Sequence, residues 1–180
     1  MKRLQNSKTV LALLTILIMP APLSAQDFDE VEILTHHVKD NIYYLEGSGG
    51  NIGVIIGDDG VLIIDNQFAP LTNKIEAAIT DLTKLPVTFV VNSHFHYDHT
   101  DGNENFGKAG AFIVAQDNAR RRMESAQVLA SGYSQRRYEK VGLPKITFFD
   151  AMRFYFNDEP IHITYNGPGH TDGDAQVYFL

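Results

Sequence analysis

The 180-residue sequence contains no cysteine. That absence excludes disulfides, removes thiolate from the possible metal ligands, rules out a cysteine nucleophile up to Leu180 and leaves nothing for an N-terminal lipid anchor to be attached to. Positive charge is scarce as well: 15 Lys and Arg stand against 22 Asp and Glu, for a formal net charge of −7. An acidic surface disfavours polyanions, so no nucleic-acid partner is expected. The one basic cluster, Arg120-Arg121-Arg122 with Arg136-Arg137, reads as a solvated helix face. The glycine-rich stretch 47–53 lacks the Lys-Ser/Thr ending of a phosphate loop and sits between two strands rather than before a helix, so Gly47-Ser48-Gly49-Gly50 reads as a turn. Beyond the N-terminus no run is long and apolar enough to cross a bilayer.

What is present at the N-terminus is a targeting pattern. Lys2, Arg3 and Lys8 precede the apolar stretch 10–19, Pro20 and Pro22 break it, and Leu23-Ser24-Ala25 offers a small-residue cleavage point. Residues 1–25 therefore read as a secretory signal peptide and 26–180 as one domain, in a periplasmic or secreted protein with no stable membrane insertion after cleavage. Removing Lys2, Arg3 and Lys8 takes the formal charge from −7 to −10. A hydrophobic fraction of 44% with 11% aromatics is ordinary for a globular core.

Along the domain, 27–39 is acidic and then polar, without a clear period. Residues 41–46, 51–57 and 61–65 read as strands, the last two joined by the hairpin signal Asp58-Asp59-Gly60. Residues 70–82 carry apolar positions at helical spacing (Leu71, Ile75, Ala78, Ile79, Leu82), opened by Pro70. Residues 87–92 read as the next strand, and strand–helix–strand order implies a parallel pair. A short helix from 103, a strand at 111–115, a helix at 118–130, a surface connection at 131–144 and strands at 146–149, 152–156, 160–165 and 175–180 complete the reading. The pattern predicts a mixed α/β (α+β) sandwich with sheet inside and helices outside.

Four metal-capable side chains fall within six residues directly after the 87–92 strand, as His94-Phe95-His96-Tyr97-Asp98-His99. Neutral imidazoles with a carboxylate suit zinc and similar borderline metals. Period-two alternation would project His94 and His96 to one side, while Asp98 and His99, just beyond, suit a neighbouring ion. Further on, His170 sits among glycines in Gly167-Pro168-Gly169-His170-Thr171-Asp172-Gly173, where the backbone can turn tightly. His94, His96 and His170 supply the three protein ligands typical of a catalytic zinc; Asp98 and His99 supply two for a second ion, whose site is incomplete on this count. Phe95 and Tyr97 are expected to pack around the loop. His36 and His37 are left out, and His162 reads as a packed strand histidine.

At these residues the chain resembles the metallo-β-lactamase superfamily, over roughly 38–180. The resemblance rests on His94-x-His96-x-Asp98-His99, on Gly169-His170-Thr171 and on the strand 61–65 ending in Asp65. It implies an αββα sandwich, of which this chain holds the N-terminal part. It also implies a first zinc on His94, His96 and His170, a second on Asp98 and His99, and Asp65 as a brace behind the ligands. The bridging Asp and final His that members usually supply later do not occur before Leu180, so the chain is expected to be C-terminally truncated, with one or two zinc ions. A half-sandwich exposes a sheet face and strand edges, so the isolated chain is expected to fold poorly or aggregate.

The function implied is an exported zinc-dependent hydrolase that uses a metal-bound hydroxide on a small-molecule carbonyl substrate: a lactam, thioester or lactone. Asp98 is the expected catalytic carboxylate, orienting the nucleophile and relaying its proton. The alternatives are a β-lactamase proper, a non-catalytic zinc-binding relative, a fragment without function and, more remotely, a non-haem iron oxygenase. Oligomeric state is not indicated by the sequence.

Overall fold

The computed structural model describes residues 27–130 and 132–180; the signal peptide read at 1–25 lies outside them. Among the described residues the chain runs β1 (Leu34–Lys39), β2 (Ile42–Glu46), β3 (Ile52–Gly57), β4 (Gly60–Ile64), α1 (Thr72–Leu82), β5 (Val87–Val91), α2 (Tyr97–Thr100), α3 (Asn103–Ala109), β6 (Phe112–Gln116) and α4 (Asp117–Met123). The short pair β7 (Gln127–Val128) and β8 (Ser134–Gln135) follows, then β9 (Ile146–Phe148), β10 (Ala151–Phe156), β11 (Glu159–Thr164) and β12 (Gln176–Phe179). No helix among these residues is long and apolar enough to cross a membrane.

Seven strands form one sheet in the order β1-β2-β3-β4-β5-β6-β9. The first four pair antiparallel through short turns. From β4 onward the pairing is parallel, with α1 as the first crossover, as the strand–helix–strand order predicts. A second, antiparallel sheet, β10-β11-β12, packs over one face.

Alternation along each central strand divides the core in two. Leu45, Val54, Val61, Ile63, Val90 and Ile113 point to the helical side, where Leu71, Ile75, Ile79 and Phe106 cover them. Ile55, Leu62, Val91 and Val114 point the other way, into Phe148, Phe156, Ile161 and Ile163 around the second sheet. Each fully buried side chain of this size contributes about 1.5–3 kcal/mol. The layers are helix, sheet, sheet, matching the expected α/β sandwich. Among the described residues no helix covers the outer face of the second sheet, where Tyr155 is 76% and Tyr178 46% exposed.

A polar clasp joins the two sheets at one end. Asp59, in the turn between β3 and β4, donates its N–H to Asn157 Oδ1 at 2.9 Å and accepts from Asn157 N–H on Oδ2 at 2.8 Å. Asn157, in the turn between β10 and β11, also donates its amide to Gly60 O at 3.0 Å.

Several local readings change. β1 falls in the stretch read as unpatterned: it is an edge strand exposed at every residue but His36, which is half-buried, so no apolar alternation marks it. The helix read at 118–130 ends at Met123, because 127–128 pair with 134–135 instead. His162 lies opposite the buried Ile161 and Ile163, half-buried on the outer face between Arg153 and Tyr178 rather than packed in the core.

Candidate metal centre

The site forms at the far end of β4 and β5 from the clasp. Asp65 directly follows β4, held in the left-handed region at φ 64°, and its N–H continues the parallel ladder to Val91 O at 2.8 Å. β5 ends at Val91, and His94 follows in a bend rather than in the strand continuation expected. Asp98 and His99 lie on the single helical turn α2. His170 comes from the connection between β11 and β12, so the second sheet delivers one imidazole to two from the first.

His94, His96 and His170 each bring a ligand atom to a cluster within 4.8 Å. His94 is central: its ring centroid lies 4.8 Å from that of His96, 5.0 Å from His170 and 4.2 Å from His99. His96 Nδ1 and His170 Nε2 face each other at 3.0 Å.

The protonation of His94 follows from its neighbours. Ser93 Oγ donates its only proton to Asp65 Oδ2, at 2.6 Å. Ser93 Oγ also meets His94 Nδ1 at 3.0 Å, so it can only accept there and Nδ1 carries the hydrogen. The lone pair of His94 therefore sits on Nε2, which is buried and has no hydrogen-bond partner. An orphaned buried nitrogen costs free energy unless something accepts its lone pair. Burial, then the neighbouring His99, hold His94 down to about 4, and burial with His170 lowers His96. Both are neutral at neutral pH, the form in which an imidazole can bind a metal. Zinc–nitrogen bonds of about 2.0–2.1 Å in tetrahedral array place ligand nitrogens about 3.3–3.4 Å apart. The three imidazoles fit such an ion with small adjustment.

Beside them, Asp65 braces His99. Its Oδ1 accepts from Ser93 N–H at 2.7 Å and its Oδ2 from His99 Nδ1–H at 2.7 Å. One buried carboxylate thus sets the tautomers of two imidazoles, His99 directly and His94 through Ser93. His99 Nε2 then faces Asp98 Oδ2 at 3.4 Å. Burial opposes the His99 cation, but the bonds to Asp65 and Asp98 outweigh it and raise His99 to about 10. The hydrogen bond from His99 in turn holds the Asp98 carboxyl below its usual range.

Residues without an obvious signal in the sequence support this frame. Gly50 lies flat against His99: a Cβ there would stand 2.4 Å from the imidazole Cε1, so only glycine fits without displacing the ring. Gln67 holds that loop by donating to Gly50 O at 2.6 Å. The segment read as a plain surface connection places Gln135 and Tyr138 under the ligand loop. Gln135 Nε2 donates to Phe95 O at 2.8 Å, and Tyr138 Oη meets Thr100 Oγ1 at 2.6 Å. Thr100 Oγ1 also contacts His96 O at 2.8 Å. Phe95 is buried and Tyr97 packs against Phe68 and Tyr133, as expected for side chains framing the loop. The basic cluster lies at the surface, as read, with Arg121, Arg122, Arg136 and Arg137 exposed; within it Arg120 pairs with Glu124, Arg122 with Asp172 and Arg136 with Glu104.

A cleft of about 240 Å3 opens at His96 and His170, with Phe95, Val128 and Leu129 on one wall and Asp172 on the other. Three imidazoles thus converge at this opening, with a carboxylate and a fourth imidazole alongside. Residues 45–180 match the metallo-beta-lactamase superfamily.

This chain belongs to the metallo-β-lactamase superfamily.

Solved structures of the superfamily share its architecture. A metallo-β-lactamase from Novosphingobium pentaromativorans aligns at 25% identity and a TM-score of 0.70, over 81% of this chain and 55% of its own. A class B3 di-zinc metallo-β-lactamase from an Alaskan soil metagenome aligns at 21% identity and 0.73, over 88% and 61%. A metallo-β-lactamase from Legionella gormanii aligns at 18% identity and 0.71, over 82% and 58%. The chain thus spans 55–61% of the length of these three superfamily structures.

Proposed function

We propose that this metallo-β-lactamase-fold chain carries the metal centre of a zinc-dependent hydrolase acting on a small molecule with an activated carbonyl. The observation that carries the reading is the buried, partnerless Nε2 of His94, facing the converging nitrogens of His96 and His170. His94, His96 and His170 are the ligands, with Asp98 and His99 as a second pair. Zinc bound there supplies a Lewis acid and a water acidified to a pKa of about 7. Asp65 and Ser93 keep the imidazole lone pairs aimed at the site. Asp98 would accept a hydrogen bond from the attacking water at a carboxylate oxygen, orient it and relay its proton. Phe95, Val128 and Leu129 give the cleft an apolar wall against which the body of a substrate can rest.

The neighbours named as class B3 β-lactamases make a lactam the first substrate to try, with lactones and thioesters after it. The N-terminal pattern of Lys2, Arg3 and Lys8 before an apolar stretch supports export to the periplasm or beyond. The acidic surface supports a small molecule rather than nucleic acid as partner. The test is hydrolysis of the three substrate classes by the zinc-loaded protein and by Asp98→Ala. Turnover that falls by about 10²–10⁴ in the variant supports the assignment of Asp98. Zinc bound without turnover of any class removes the hydrolase reading and leaves a metal-binding protein. Failure to bind zinc removes both.

A further inference from the structure

The ligand His170 sits on an exposed connection, yet the connection is fastened at several points to one helix. Arg122, on α4, grips Asp172 with the Nε–Nη2 edge of its guanidinium: Nε lies 3.1 Å from Oδ2 and 3.2 Å from Oδ1, and Nη2 lies 2.7 Å from Oδ2. One turn earlier on the same helix face, Asn118 Nδ2 donates to Asp172 O at 2.6 Å. Gly173 lies directly on the helix, where a Cβ would meet Ala119 N at 2.5 Å. The connection closes on itself through Thr171, whose N–H and hydroxyl both reach Asp174 Oδ1, at 2.9 and 2.6 Å. Ala175 N–H then ties it to Ser93 O at 2.6 Å, next to His94.

We propose that Arg122 and Asn118 are positioning residues for the metal centre: through Asp172 they hold the connection at the depth where His170 Nε2 meets His96 Nδ1. This rests on the metal-centre reading and extends it to two residues of α4 outside the ligand set, of which Arg122 also lines the cleft. The geometry is specific to the task. Asp172 is two residues from His170, so the side chain and carbonyl held by α4 fix the backbone on the exposed side of the imidazole. Around the imidazole itself the His96 and His94 rings face it, and on its N-terminal side Gly169 N–H donates to Thr171 O at 2.9 Å. The ends of the connection are set by β11 and β12, and the clamp sets its middle. A bidentate Arg–carboxylate pair fixes direction as well as distance, which a single ammonium contact does not. Outer contacts of this kind orient ligands, and their loss typically lowers metal affinity ten- to hundredfold.

The test uses the full chain and three variants, Arg122→Gln, Arg122→Lys and Asn118→Ala. Zinc affinity is read by chelator competition, and Co2+ substitution reads the ligand field through its visible absorption. Thermal unfolding without metal controls for a merely structural role. The expected result is a tight site in the parent and a ten- to hundredfold loss with Arg122→Gln. Arg122→Lys should fall between them, Asn118→Ala should lose affinity too, and the Co2+ spectrum should change while the metal-free unfolding midpoint moves little. Affinities and spectra equal to the parent's in all variants overturn the clamp and leave the metal centre standing. An affinity loss that only follows lost metal-free stability, with an unchanged Co2+ spectrum, also overturns it. A parent chain that binds neither ion overturns the metal centre and the clamp together.

Discussion

Replacing Asp65 by Asn tests the bracing carboxylate with almost no change of shape. The residue has φ 64°, and Asn occupies the left-handed region as readily as Asp, so backbone strain does not enter. Asp65 accepts three hydrogen bonds, from Ser93 N–H, Ser93 Oγ–H and His99 Nδ1–H. An amide oxygen keeps the first. The amide nitrogen then stands where Oδ2 stood and donates where Oδ2 accepted, so His99 Nδ1–H loses its acceptor and Ser93 must turn its hydroxyl. Hydrogen bonds to a charged group contribute about 1.5–3 kcal/mol each, and reorientation of Ser93 recovers part of one. The metal-free chain should lose about 3 kcal/mol. With His94 and His99 no longer held in their tautomers, zinc affinity should fall ten- to hundredfold, about 1.4–2.8 kcal/mol. Urea denaturation followed by circular dichroism measures the first quantity, and chelator competition the second. A variant within about 0.5 kcal/mol of the parent, the range of an ordinary surface change, with zinc affinity untouched, would refute the bracing role.

Three further outcomes are expected. Gly50→Ala must push the His99 ring aside and should destabilise by about 1–3 kcal/mol, with a shifted His99 imidazole resonance in NMR; an unmoved resonance refutes the contact. Leu62→Ala empties a fully buried place between the two sheets and should cost about 2–5 kcal/mol in denaturant melts, where under 1 kcal/mol would mean the sheets do not pack as described. Burial alone would raise the Glu104 carboxyl, but hydrogen bonds from Arg136 and the Glu139 N–H outweigh it and hold it below 4.5. Its contribution is therefore complete above pH 4.5 and lost as pH falls through the folded value, so the stability gap between parent and Glu104→Gln should close in acid; a gap that stays constant down to about pH 2 contradicts this.

Much of the frame could be read from local patterns. The hairpin at Asp58-Asp59, the amphipathic α1 and the parallel β4–β5 pair announce themselves through turn residues, spacing and length. So did the ligand cluster, because four metal-capable side chains within six residues are a local signal. What stayed hidden depends on partners far away in sequence. Arg122 looks like part of a charge run until the fold brings Asp172 to it, 50 residues later. Gln135 and Tyr138 occupy a stretch with no period, and their role under Phe95 and Thr100 follows from the path of the chain. Gly50 resembles any turn glycine; the His99 ring makes it irreplaceable. β1 pairs through its backbone while leaving its side chains in water, so its residues carry no apolar mark.

The clasp between Asp59 and Asn157 makes one end of the sandwich a pivot. β4 runs from that pivot to Asp65, about 16 Å away at roughly 3.3 Å per residue. Any parting of the two sheets is therefore smallest at the clasp and largest where His94 and His96 face His170. A zinc ion bridging those side chains would act at the end of the longest lever arm, where a small restoring force resists the most opening. A centre occupied in this way would be a mechanical fastening as well as a chemical one. Chelation should speed amide exchange in β12 and in the 165–175 connection while leaving the Asn157 amide as protected as before.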